Sequence, residues 1–262
     1  MLQPLTIKLA ANHQAPVSPL NRELPHVIVT LPVYKDTRFL ASAADTLEQA
    51  TRKMAPDFTL LIAEDGSDST QLVKELNQKY QNIIHRQHDQ RLGRGKALRD
   101  AWSQIEGGIY VYIDVDMATD LTTFDAYRNL LECQREFDLV TGSRYLTGSE
   151  TERPWLRRFA SLAYNSFVRI IFRTGVHDHQ CGFKSFSSRL VKVLSVEAKS
   201  DSWFWDTEVI VLAKKLGFRI CEIPVNWQEM KGSKTPLGRL ARDVWIHGTG
   251  LLRLFWRVYL GA

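Results

Sequence analysis

The sequence predicts an α/β fold, a mostly parallel central sheet with helices on both faces, on three observations. Short β-branched runs alternate with helical patterns from His26 to Tyr145, the rhythm of repeated βαβ units. The runs are continuously apolar, as strands buried on both faces must be. Acidic or polar residues close most of them, and in such sheets ligands bind beyond the carboxyl ends of the strands.

The elements follow in order. HVIVTLPVY, from His26, predicts the first strand, and Asp36 opens the helix after it. FTLLIAED predicts the second strand, Gln71 to Tyr80 a helix, NIIH a short strand, and Gly95 to Ile105 a further helix. IYVYI predicts the fourth strand, the residues after Asp120 a helix, and DLVTGSRY the fifth strand. The segment PWLRRFASLAYNSFVRIIFRTG, about 154–173, places Leu156, Phe159, Ala163, Phe167 and Ile170 at helical spacing, with Arg158, Arg169 and Arg173 on another face. The tail repeats this pattern: Arg239, Arg242, Arg253 and Arg257 align if one helix continues through Gly248 and Gly250, with Trp245, Trp256 and Tyr259 among its apolar residues. Such basic amphipathic helices suit the plane of an anionic membrane surface or, equally, the covering of a core with solvated arginines. The organisation expected is an extension over 1–24, a main domain over 25–235 and a C-terminal amphipathic helix over 236–262.

The chain has 262 residues, 44% hydrophobic and 24% charged, enough for one large domain or two small ones. Cys133, Cys181 and Cys221 are far apart, odd in number and form no CxxC, which argues against a disulfide framework and for a reducing, cytosolic compartment. The first 24 residues lack an apolar h-region and a charged n-region, so a cleaved signal peptide is not expected. No run reaches the roughly 18 uninterrupted apolar residues of a spanning helix, and a peripheral protein on the cytoplasmic face of a membrane is expected. The net charge of +5 calls for an anionic partner. Nucleic acid is the weakest of these, because the arginines lie on apolar-faced helices rather than among exposed aromatics on a sheet.

Strand-end residues carry the chemistry. Pro32, Tyr34 and Asp36 follow the first strand, Glu64 and Asp65 the second, Asp114 and Asp116 the fourth, Ser143 and Arg144 the fifth. Asp114 and Asp116 alternate, so on an extended strand both carboxylates aim at one point. Two like charges so close call for a hard divalent cation, Mg²⁺ or Mn²⁺, which binds one or two carboxylates and keeps positions for phosphates. Two acids favoured by a helix N-terminus are the alternative. In RLGRGKALRDAW, glycines and Lys96 stand at a helix start able to approach a phosphate, although the spacing is not that of GxxxxGKS and a basic helix start also explains it. His177, His179 and Cys181 of HDHQC would face one way on a strand, but no fourth zinc ligand is evident.

Taken in order, LPVYKD, EDGSDST, GRGKALR, DVD, GSRY, HQCGFKSF, WFWDTEV and EIPVNWQEMKGSK resemble the family 2 glycosyltransferases of GT-A (nucleotide-diphospho-sugar transferase) fold over about residues 26 to 235. Within them the likeness is to the dolichyl-phosphate hexose synthases. The resemblance implies that Pro32, Tyr34, Asp36, Ala63 and Asp65 surround a nucleotide base and ribose. It implies that Asp114, Val115 and Asp116 meet the metal and donor diphosphate, with Lys96 and Lys234 at its phosphates. Arg144, Arg157 and Ser161 match positions that meet an acceptor phosphate in the mannosyl enzymes. Those enzymes often carry a further metal ligand where this chain has Ala118, and an arginine where it has QEMK, Gln228 to Lys231. These departures resemble the glucosyl branch, and the resemblance favours UDP-glucose over GDP-mannose as donor, glucose or mannose being the sugar moved.

A polyprenyl phosphate acceptor is already anionic and needs no general base, whereas a sugar hydroxyl does. Asp206 and Glu208 of FWDTEV are a base for a hydroxyl acceptor or orienting groups for the arginine cluster, and the second role is expected. The expected activity is an inverting, metal-dependent hexosyl transfer from a nucleotide sugar to a polyprenyl (dolichyl) phosphate at a membrane surface. A transferase acting on a saccharide hydroxyl and a catalytically silent nucleotide-sugar-binding protein are the alternatives.

Overall fold

The computed structural model describes residues 24–152, 155–228 and 237–260, with side chains at all of these except 152, 155–157 and 237–243. The apolar runs become strands and the stripes between them helices. In chain order these are β1 (Val27–Val33), a 3₁₀ turn at Thr37–Phe39, α1 (Leu40–Met54), β2 (Phe58–Asp65), α2 (Thr70–Lys79), β3 (Ile83–His88), α3 (Arg94–Trp102) and β4 (Ile109–Ile113). There follow α4 (Asp125–Cys133), β5 (Leu139–Ser143), β6 (Thr151–Glu152), α5 (Trp155–Phe172), β7 (Phe183–Ser187), α6 (Ser188–Glu197), α7 (Trp205–Lys215), β8 (Ile220–Pro224), β9 (Trp227–Gln228) and α8 (Leu237–Tyr259).

The main sheet has the order β3-β2-β1-β4-β7-β5-β8. Its strands share one direction except β7, which is antiparallel to both neighbours, so the sheet is mostly parallel as expected. β6 and β9 form a separate short parallel ribbon. Alternation divides the core between the two faces. Val27, Val29, Leu31 and Val33 pack with α1, α2 and α4, while Ile28, Leu61 and Tyr112 pack with α3, α5, α6, α7 and α8. On α1 the buried Leu40, Ala43, Ala44, Leu47 and Ala50 form the stripe that a half-buried helix needs. On the second face Trp205 sits 5.9 Å from the Trp102 and Tyr112 rings, and Trp102 donates to Thr30 at 2.8 Å.

One expectation changes here. The HDHQC segment is not a strand: no regular element spans the residues between α5 and β7. The backbone N–H and Nδ1 of His179 both meet Asn165 Oδ1, at 2.9 and 3.0 Å, and burial pushes His179 down to about 3, keeping it neutral. His177 packs on Glu222 at 2.8 Å. Among the described residues no group of three or more His, Cys, Asp or Glu could hold a metal. These histidines pin a loop.

The amphipathic helices form as expected, with Arg257 alone turned toward the domain among the described arginine side chains of the tail. α8 runs unbroken through Gly248 and Gly250, and Gly250 lets Phe204 approach where a Cβ would lie 2.6 Å from its ring. α8 docks on the domain through buried Leu254, through Arg257 to Glu208 and through Tyr259 to the Ile171 carbonyl. On α5 it is Val168 and Phe172 that face the core, while Phe159 is 70% and Ile170 71% exposed. Trp245 on α8 is 72% exposed. The apolar stripes thus face outward, and Arg257 points inward. Arg239, Arg242 and the 1–23 extension lie outside the described residues or side chains. No helix among the described residues is long and apolar enough to cross a membrane.

Candidate active site

β1 has β2 on one side and β4 on the other, so the chain's crossovers part between β1 and β4, and sheets of this kind bind ligands beyond the carboxyl ends of such strands. The acidic pair stands there. β4 ends at Ile113, and the Met117 N–H donates to the Asp114 carbonyl at 3.0 Å, closing a turn with Met117 at φ 51°. Asp114 and Asp116 are therefore brought together by a tight turn and not by strand alternation, which corrects the reasoning from sequence while keeping its residues. Asp116 Oδ1 accepts from the Ala118 N–H at 3.1 Å.

Gly182 fixes the other side of the turn. Its carbonyl accepts from the Asp114 N–H at 2.9 Å, and a Cβ built on it would lie 1.9 Å from Asp114 Oδ2. Gly182→Ala is expected to displace the Asp114 carboxylate and lower activity at least tenfold, with the fold retained by circular dichroism.

A buried ionic cluster backs the turn. Arg94 Nη2 lies 2.6 Å from Asp114 Oδ1, its Nη1 donates to Asp206 Oδ2 at 3.1 Å, and its guanidinium sits 3.7 Å from the Trp203 ring. Asp206 also accepts from Lys184 Nζ at 2.9 Å and from the Tyr112 hydroxyl. Burial raises the Asp114 carboxyl to about 6, an effect Arg94 opposes and the negative Asp116 and Asp206 reinforce. Asp114 Oδ1 is buried and receives no hydrogen bond of good geometry. An under-compensated carboxylate beside a second one fits a hard divalent cation. Were such a cation held there, Asp114 and Asp116 would be its protein carboxylates and the apolar Ala118 could add no third.

Pro32 and Ala63 are register partners across β1 and β2, and the Arg91 guanidinium lies 4.0 Å from the centre of the Tyr34 ring. Asp65 accepts from the Leu92 and Gly93 N–H groups at 2.6 and 2.9 Å, so it holds the loop entering α3. Asp36 is exposed, and Val115 is buried in the core. Glu64 is buried and taken up by Ser67, Ser69 and His85, a structural role. Lys96 Nζ lies 2.8 Å from both carboxylate oxygens of Asp100. Arg144 gives Nε and Nη2 to Asp178 at 2.7 and 2.9 Å. Ser161 lies on α5, half-buried. The side chain of Arg157 and all of Lys234 lie outside what is described.

Glu208 accepts from the Lys199 and Ser200 N–H groups and from Arg257. Asp206 and Glu208 are thus occupied carboxylates. They orient Arg94, Lys184 and α8, while Arg144 of the cluster that the sequence suggested is held by Asp178. Arg94, Lys184 and Gly182 were not singled out from the sequence. A lysine inside the apolar strand FKSFS was the available signal, since a buried ammonium must be paired.

Arg144 holds the Asp178 carboxyl down at about 2 against the cost of burial. This folded value lies below the ordinary one of about 3.9, so its contribution is present above pH ~4 and lost as pH falls toward 2. Acid titration of unfolding is expected to show about 2–3 kcal/mol lost over that window, and Asp178→Asn to remove that portion of the slope.

Comparison with known proteins places this arrangement. The model of glycosyl transferase family 2 matches residues 28–195. The chain is 36% identical over 238 residues to glycosyltransferase AglD of Haloferax volcanii, covering 88% of this chain and 37% of that protein. It therefore spans little more than a third of the length of that relative. It is 29% identical over 247 residues to the dolichyl-phosphate beta-glucosyltransferase of Dictyostelium discoideum, covering 88% of this chain and 76% of the other. The fold matches glucosyl-3-phosphoglycerate synthase from Mycobacterium tuberculosis, solved with Mn²⁺, UDP and glucosyl-3-phosphoglycerate, at a TM-score of 0.63 and 16% identity over 88% of this chain and 80% of that one. It also matches a mannosyltransferase from Pyrobaculum calidifontis, solved with GDP-mannose and Mn²⁺, at a TM-score of 0.61 and 16% identity over 89% and 65% of the two chains. With a GT-A sheet, an acidic turn at its switch point and a family match over most of its length, the chain belongs to glycosyl transferase family 2.

Proposed function

We propose that this chain transfers a hexose, glucose in preference to mannose, from a nucleotide diphosphate sugar to a polyprenyl phosphate of the dolichyl type, at the cytoplasmic face of a membrane. The observation that carries the lipid acceptor is the outward apolar face of α5 and α8 beside the site. Tyr164 on α5 is bonded to Thr207 at 2.8 Å, and Thr207 adjoins Asp206 of the cluster behind the acidic turn. Large exposed apolar side chains on two basic helices suit an interfacial position. The dolichyl-phosphate beta-glucosyltransferases among the relatives favour the same acceptor and glucose.

Asp114 and Asp116 would hold Mg²⁺ or Mn²⁺, which when bound neutralises charge developing on a diphosphate leaving group. Pro32, Tyr34, Asp36, Ala63 and Asp65 border the space for base and ribose, with Lys96, Val115 and Lys234 assigned to the donor side. Arg144, held rigid by Asp178, supplies fixed positive charge for the acceptor phosphate together with Arg157 and Ser161. The acceptor oxygen is already anionic, so direct attack on the anomeric carbon inverts it without a general base. The engagement of Asp206 and Glu208 with several donors each speaks against the saccharide-hydroxyl alternative.

The test is incubation of the purified protein with Mg²⁺ or Mn²⁺, dolichyl phosphate and radiolabelled UDP-glucose or GDP-mannose in parallel, followed by organic extraction. Lipid-phase label greater from UDP-glucose is expected. Absence of such label from both donors would overturn the reading.

A further inference from the structure

Arg94 opens α3 and turns its side chain inward, leaving 9% of it exposed. Its two terminal nitrogens are held unequally. Nη1 donates to Asp206 Oδ2 in an aligned hydrogen bond at 3.1 Å, and the guanidinium lies 3.7 Å from the centre of the Trp203 ring. Nη2 comes closer to Asp114 Oδ1, at 2.6 Å, yet that oxygen is buried and receives no hydrogen bond of good geometry. The Asp206 side is a directed bond, whereas the Asp114 side is attraction between charges alone.

The charges gathered at the turn are three carboxylates, Asp114, Asp116 and Asp206, and two cations, Arg94 and Lys184. Their net is a single negative charge. A divalent ion alone would reverse that sign, in a place where Lys184 and Asp206 are 0% and 2% exposed and charge is poorly screened. A divalent ion accompanied by a diphosphate would not, because the phosphates bring negative charge of their own.

We propose that Arg94 is a positioning residue that stands in for the cation at the acidic turn, so that divalent ions bind weakly there unless a diphosphate accompanies them. The inference rests on the metal reading of Asp114 and Asp116 given above. Bonded to Asp206 and stacked on Trp203, Arg94 stays beside the site while its unaligned contact with Asp114 gives way. Lys184 cannot take this part, because Asp206 and the Cys181 carbonyl hold it behind the turn. Nor can Lys96, which Asp100 holds at 2.8 Å.

The test titrates free Mn²⁺, followed by its paramagnetic resonance signal, into wild-type protein, Arg94→Met and Arg94→Lys, each with and without UDP. Arg94→Met keeps an unbranched side chain against Trp203 but not the charge, and Asp206 retains Lys184 and Tyr112. It is expected to bind Mn²⁺ alone about tenfold or more tighter than wild type and to gain less from UDP, while Arg94→Lys, which keeps the charge, stays near wild type. An arginine that only braces Asp114 predicts Mn²⁺ binding weakened or unchanged in Arg94→Met, and either result would overturn the proposal. Circular dichroism checks that each variant is folded. Should Arg94→Met not fold, a crystal structure of the wild-type protein with Mn²⁺ and UDP decides. There the Arg94 to Asp114 contact of 2.6 Å is expected to open while the hydrogen bond to Asp206 remains, and a contact left intact beside the bound ion would overturn the proposal. Wild-type protein that binds no Mn²⁺ even with UDP would overturn the metal reading itself, a failure distinct from wild-type response to UDP with no change in Arg94→Met.

Discussion

Asp116→Ala is expected to reduce hexosyl transfer by on the order of 10²–10³-fold or more while leaving the fold intact. The expectation comes from the contrast between the two carboxylates. Asp114 is built into the protein: its N–H is bound by Gly182 and its Oδ1 faces Arg94 at 2.6 Å, so removing it leaves a buried arginine one partner short. Asp116 accepts a hydrogen bond from the Ala118 N–H at 3.1 Å and is half-exposed. Losing that hydrogen bond costs stability of about 1 kcal/mol. Activity that falls while the thermal midpoint barely moves identifies Asp116 as a ligand rather than a strut. Unchanged transfer would remove it from the site.

Asp206→Ala is expected to act on stability, by about 3–5 kcal/mol in denaturant unfolding with an unchanged slope. Asp206 is 2% exposed and receives Lys184, Arg94 and Tyr112, and its carboxyl is held down by Lys184 and then Arg94 against burial. Without it the Lys184 ammonium, with a side chain 0% exposed, keeps the Cys181 carbonyl but no carboxylate. A domain of ordinary stability, about 5–15 kcal/mol, would then be close to unfolding at moderate temperature. Asp206→Asn, which keeps the shape and an acceptor, should lose less. A change below about 1 kcal/mol for the alanine variant would show that the cluster contributes little.

What was legible in the sequence was what local patterning determines. IYVYI is β4 to the residue, because a continuous β-branched and aromatic run has no other way to bury both faces. The outward turn of the α5 and α8 stripes was not legible, because equal amphipathicity serves a core or an interface, and only the packing of Val168, Phe172 and Leu254 decides. The acidic pair was found, but its geometry came from a turn closed by Met117 and backed by Gly182, a contact across many residues. Arg94 rather than Lys96 reaches the acidic turn because Asp206, 112 residues away, draws the arginine inward, while Asp100 on the same helix holds the lysine. The histidines of HDHQC were misread as a strand because Asn165 and Glu222, which hold them, lie elsewhere in the chain.

The central claim is that the acidic turn is half of a metal site, completed by the diphosphate of the donor. Titration of Mn²⁺ by the paramagnetic resonance signal of the free ion, with and without UDP, tests it most directly. Weak Mn²⁺ binding alone, at least tenfold tighter binding with UDP, and loss of that gain in Asp116→Ala are expected. Equally tight Mn²⁺ binding without nucleotide, or UDP binding indifferent to the ion, would contradict it.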